Sequence, residues 1–361
     1  MNDREVMVYV SCAEAQEIVR FSLNQKTGAL KKLDAVALTD ALAPPPPADE
    51  SGRVRASFSI PLALPPNRRF IYGVTRMAPF LAVSFAIDPG TGAISKIAEA
   101  PIPEYTPFIT TDPTGRYLLG NAYHGNFVWV SAIEDEGRVL APPIQIVENI
   151  RTSHFILVHP NVPCAYVAVT GDHEIRKYAF DVGTGHLTAD GSHPIMAKPG
   201  SRPRHMALHP NKKFLYCNGE TSANIAGYTV DETTGALTLF QDIDAWPANG
   251  SLPSPSTGAD LQISPDGRFI YGSERVQSVI SVYAIAQDGN LSYVETVEAE
   301  QVPRAFRIDP SGRFLISAGQ NSGRIGVYEI DQTSGRLTRL QTYEAGSGAT
   351  WVEFVELSPR G

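Results

Sequence analysis

One string recurs six times along the chain: an apolar stretch, a proline, two or three polar residues, then an aromatic or aliphatic run. Its copies are LALPPNRRFIYGV, ITTDPTGRYLLGN, ILVHPNVPCAYVAV, MALHPNKKFLYCN, LQISPDGRFIYGS and FRIDPSGRFLISA. The shared prolines are Pro66, Pro113, Pro160, Pro210, Pro265 and Pro310, at intervals of 47, 47, 50, 55 and 45 residues. A second marker is a glycine-centred turn after an alternating strand. It occurs seven times, at Gly28, Gly92, Gly137, Gly185, Gly235, Gly289 and Gly335. Self-similarity at a period near 50 residues means a repeat architecture, whose unit buries its apolar faces only against its neighbours.

Each repeat contains about four strand-sized runs with period-two alternation, such as SVISVYAIA, and no window sustains a helical period. Glycine and proline, 30 and 28 of 361 residues, supply the turns. Four strands in each of seven repeats predict an all-β fold, a seven-bladed β-propeller. Six proline markers against seven glycine markers point to a split blade. The N-terminal runs MVYVSC, EIVRFSL and ALKKLDAV supply three strands, and the C-terminal TWVEFVEL supplies the missing one. Pairing the two ends would close the ring and leave no open edge. The whole chain reads as one propeller domain. The first glycine interval, 64 residues, is longer than the rest, and the excess falls on the proline-rich stretch 41–53, read as an extended surface insertion.

Composition narrows the function. No apolar run approaches the length of a membrane span, and the N-terminus lacks the basic and apolar regions of a secretory leader, so a cytoplasmic protein is expected. Cys12, Cys164 and Cys217 are too few and too scattered for a disulfide framework or a zinc site. A net charge of −8 argues against nucleic-acid binding, which needs a basic face. It leaves room for a small anion, because a few arginines in one cleft outweigh the global charge locally. Mononucleotide and dinucleotide loops, serine-hydrolase elbows and zinc-protease motifs are absent, so neither cofactor nor metal is expected. The oligomeric state is left open.

Equivalent positions of a propeller repeat face the same place on the ring axis. Six residues before the marker proline stand Ile60, Pro107, His154, Arg204, Ala259 and Arg304; ten residues after it stand Arg76, Tyr123, Thr170, Glu220, Arg275 and Gln320. The two sets lie at opposite ends of antiparallel neighbours, which puts both at one mouth of the channel, with His124 and His205 one residue away. Four arginines, an acid and a histidine in one register are unlike a solvated surface, where charges mix without order. They predict an anion-binding cleft with an acid/base pair.

The strings PRHMALHPNKKFLYCNGE, LQISPDGRFIYGSERVQSVISVYAI and PRAFRIDPSGRFLISAGQNSGRIGVYEID resemble the propeller-type 6-phosphogluconolactonases, a family that includes the fungal carboxy-cis,cis-muconate cyclase. The likeness covers nearly the whole chain apart from 41–53. It implies active-site residues at His154, Arg204, Glu220 and Arg275, the four also singled out by the register. His124 stands where the family usually has asparagine. The resemblance implies a metal-independent lactonase that opens a sugar-acid lactone carrying an anionic group. Glu220 and His154 would activate water, Arg204 and Arg275 would meet the anion and the developing oxyanion, and Arg304, Arg76, His124, His205, Tyr123 and Gln320 would contact substrate. Two rival readings stay open here, a cycloisomerase acting on an unsaturated dicarboxylate and a non-catalytic binding propeller.

Overall fold

The computed structural model describes residues 5–40, 59–244 and 256–357, and within them every regular element is a strand. The strands form seven antiparallel sheets. Their inner strands are Ala349–Glu356, Leu62–Ala63, Phe108–Thr111, Ser153–Val158, Pro203–Leu208, Gly258–Ile263 and Pro303–Ile308, and we number the blades one to seven in that order. The expected seven-bladed propeller is the observed fold. The proline-rich stretch 41–53 lies outside the described residues.

Blade one is built from both ends of the chain. Val6–Cys12 runs between Glu17–Leu23 and Ala349–Glu356, with Val8 opposite Phe354 and Val10 opposite Val352. Val6, Val8, Val10, Val352 and Phe354 then share one apolar cluster with Phe314 and Ile316 of blade seven, so closure and blade packing are one interaction.

The turn glycines connect neighbouring blades. Gly137 and Gly335 have φ of 84° and 73°, and a Cβ on either would lie 2.3 Å from the ring of Phe70 or Phe269 in the preceding blade. Only glycine both takes the left-handed turn and admits the ring. Tyrosine hydroxyls reinforce the same seams: Tyr9, Tyr166, Tyr216 and Tyr271 donate to the carbonyls of Gly92, Gly235, Gly289 and Gly335 at 2.6–2.9 Å.

Two outer strands depart from the repeat. In blade three the strand Gln145–Val147 starts only after Pro142 and Pro143, which have no N–H for a ladder. In blade four the edge is split into Leu187–Ala189 and Ile195–Met196, both paired with Glu174–Phe180, around Gly191 and Pro194.

The feature that positions the site is a register shift at the mouth end of four inner strands. It falls between Ser153 and Phe155, Pro203 and Met206, Gly258 and Leu261, and Pro303 and Ala305. A bulge breaks the alternation of a strand, so consecutive residues can both face the axis. The upper layer so formed holds His154, Arg204 and Arg304. The layer beneath holds Phe155, His205 and Asp260, joined by Phe108 and Trp351. Trp351 of blade one lies 5.8 Å from Phe108 of blade three and 6.2 Å from His205 of blade five, between ring centroids. These blades are not neighbours, so the contacts cross the axis and plug the channel. A cavity of about 570 Å³ lies on the far side of this plug, lined by the opposite ends of the inner strands and by Asp260, Gln262, Arg307 and Glu353.

Candidate active site

Above the plug, in blades five, six and seven, the residue just past the second strand is tied to the segment that leads into the inner strand. The backbone N–H groups of Glu220, Arg275 and Gln320 donate to the carbonyls of Arg202, Thr257 and Val302 at 2.7, 2.9 and 3.0 Å. The two register sets therefore share one mouth, and their side chains meet across blade boundaries.

Glu220 is the negative centre. Its Oε1 accepts a hydrogen bond from Arg275 Nη2 at 3.2 Å and lies 3.8 Å from Arg204 Nε. Burial alone would raise the carboxyl pKa, but Arg204, Arg275 and Arg202 together outweigh it and hold Glu220 below the usual carboxylate range. Arg204 is only 1% exposed, and its Nη1 donates to the Ala259 carbonyl. Burial, Arg275 and Arg304 disfavour its charge, with Glu220 and Asp260 opposing them. The buried Nε atoms of Arg204 and Arg275 have no hydrogen-bond partner.

His154 is buried beside this cluster. Burial, then the charges of Arg204, His205, Arg304 and Arg275, hold its pKa well below the ordinary value, so the imidazole is neutral at pH 7. Its Nδ1 is buried without a partner. Tyr123 stands edge-on to it, with ring centroids 5.9 Å apart. Burial raises the Tyr123 pKa, and Glu220 adds to the effect.

The remaining expected residues divide. Arg304 and Gln320 are buried at the same mouth. Arg76 is 2% exposed, and all three of its guanidinium nitrogens are buried without a partner. His124 is exposed on the rim, 5.3 Å from the Tyr123 ring. His205, expected to touch substrate, sits instead in the plug under His154. There its Nδ1 pairs with Asp260 Oδ1 at 2.9 Å, because the bulge turns it toward the axis.

Sequence reasoning missed Asp260 and Arg202. Arg202 Nη2 reaches the Tyr123 hydroxyl at 3.4 Å and adds positive charge beside Glu220. It has a φ of 57°, and the RPR string around Pro203 was its signal. Among the described residues, no group of three or more His, Cys, Asp or Glu side chains is placed to hold a metal ion.

Fold and site together point to an enzyme class: a propeller with a buried, arginine-rich cluster around one carboxylate at one end of its axis. The profile of the lactonase family, described as a seven-bladed β-propeller, matches residues 52–354. The chain belongs to that family. A 6-phosphogluconolactonase of Serratia proteamaculans is 37% identical over 350 residues, covering 97% of this chain and 98% of the relative. One of Pectobacterium carotovorum is 34% identical over 353 residues, covering 97% and 99%. Among solved structures, the periplasmic gluconolactonase of Pseudomonas aeruginosa superposes with a TM-score of 0.82 at 22% identity, covering 98% of this chain and 99% of that one, a likeness of fold.

Proposed function

We propose that the protein hydrolyses a sugar-acid lactone bearing an anionic group, with 6-phosphogluconolactone the leading substrate. The observation that carries this reading is Glu220 held between Arg275 and Arg204 beside a neutral His154, at the plugged end of the channel. The names of the relatives at 34–37% identity support the lactone.

In this mechanism water attacks the lactone carbonyl carbon as Glu220, ionised at neutral pH, draws on its proton. His154, neutral and with a free ring nitrogen, relays that proton to the ring oxygen as the carbon–oxygen bond breaks. The products are a carboxylate and a hydroxyl, with one proton released to solvent at neutral pH. Arg275 and Arg204 stabilise the oxyanion formed in the tetrahedral intermediate. Arg304 and Arg76 hold the anionic substituent, since burial disfavours their charged forms and a bound anion would compensate them. Tyr123, Gln320 and the rim residue His124 complete the substrate contacts. A phosphorylated substrate would be confined to the cytoplasm, where the enzyme would act.

The test is a pH-indicator assay of purified protein on phosphorylated and unphosphorylated aldonolactones, each corrected for spontaneous opening. Faster opening of the phosphorylated member is expected. A panel in which no lactone opens above background would overturn the reading.

A further inference from the structure

Beneath His154 lies a second ionisable pair that the mechanism does not use. His205 Nδ1 and Asp260 Oδ1 are 2.9 Å apart, at 2% and 3% exposure. Asp260 also accepts the backbone N–H groups of Leu261 at 2.8 Å and Phe306 at 3.1 Å, and the side-chain amide of Gln262 at 3.1 Å. Burial would raise this carboxyl, but His205, Arg307 and these donors keep it below the usual range, so it is ionised. An ionised Asp260 accepts only, which places the His205 proton on Nδ1 and the lone pair on Nε2. That Nε2 is buried without a hydrogen-bond partner, as is Nδ1 of His154, and the two rings are 5.2 Å apart between centroids.

The charges around His154 give this pair its consequence. Arg204 of blade five, Arg275 of blade six and Arg304 of blade seven all oppose a proton on His154, as does His205 itself whenever it is protonated, and Tyr123 of blade three is neutral. Glu220 is already shared between two arginines. Asp260 is a further negative group in the layer beneath, reached through one imidazole whose other neighbours are Phe108, Phe155 and Trp351.

We infer that Asp260 and His205 are positioning residues for His154: Asp260 fixes the His205 tautomer, and the pair offsets the charge that arises when His154 takes a proton. The inference rests on the role given to His154 above. A plug that merely fills space would need neither the carboxylate nor a defined tautomer.

The experiment combines ring-nitrogen NMR with steady-state kinetics on wild type, Asp260→Asn and His205→Gln, the last keeping a donor toward Asp260. In wild type, His205 is expected as the Nδ1–H tautomer, and an Nε2–H signature would overturn the inference without any variant. In folded Asp260→Asn, the His154 ring signals should titrate at lower pH than in wild type. On a lactone the wild type opens, kcat should fall roughly ten- to hundredfold with KM within about twofold. The acid limb of kcat should move to lower pH in step with the NMR titration. A purely structural role would lower activity and leave both the His154 titration and the position of the acid limb unmoved, and that result sinks the inference. The NMR arm reads the coupling even if no lactone proves to be a substrate, so the two proposals fail separately.

Discussion

Arg275 Nη2 lies 3.2 Å from Glu220 Oε1, and this contact bridges blades six and five at the mouth of the channel. Glu220→Gln keeps size and hydrogen bonding but removes the proposed base, so kcat should fall by about 10²–10⁴ with little change in KM. Arg275→Lys should not restore full activity, because an ammonium cannot reproduce a guanidinium fork. Steady-state kinetics check both. Wild-type kcat in the glutamine variant would leave Glu220 as an ion-pair partner only, and His154 as the sole base.

Arg76 presents the opposite situation, a buried guanidinium with no hydrogen-bond partner. Removing an unpaired buried charge favours folding, so Arg76→Met should raise the melting temperature while weakening anion capture, seen as a higher KM. A variant with a lower melting temperature and unchanged KM would show that Arg76 supports the fold.

Stability should depend on pH through the buried imidazoles His154 and His205, both held below their ordinary pKa, with His205 giving the size of one contribution. Burial, then Arg204, lowers its native pKa from 6.5 to about 4. The unfolded chain takes up a proton first as pH falls, so this contribution is complete above about 6.5 and is lost on the way to 4. Between pH 7 and 5 the loss is on the order of 2 kcal/mol. The depressed carboxyls of Glu220 and Asp260 have the same sign, with their contributions lost below the ordinary carboxylate range. Denaturant midpoints measured across pH 5–7 should slope accordingly, and a flat line would contradict a neutral, buried His205.

Ring closure can be tested by deleting residues 350–361. The deletion removes most of Ala349–Glu356 and leaves Val6–Cys12 as an open edge. Light scattering and thermal melts should show aggregation or unfolding; full wild-type stability would separate closure from folding.

Much of this was legible in the sequence because a propeller repeats its geometry. Proline and glycine markers located the strands, and the spacing around the prolines placed His154, Arg204, Glu220 and Arg275 at one mouth. The layer below was missed for a physical reason. Alternation assigns the residue after His154 or Arg204 to the opposite strand face, and the bulges that turn Phe155, His205 and Asp260 toward the axis depend on backbone pairing. Read as a column, the positions five before the prolines, Phe108, Phe155, His205 and Asp260, do spell out the plug and its ion pair. Arg202 was overlooked because it belongs to no strand and enters through a left-handed turn.

The aromatic plug turns a tunnel into a cul-de-sac. On the proposed mechanism, a lactone reaching Glu220 and its opened product would use the same doorway, and the product would carry one more negative charge into a mouth lined with arginines. Release would then work against the attraction that drew the substrate in. Accumulating acid would compete directly with fresh lactone, so that flow through the enzyme would be restrained by whatever consumes that acid.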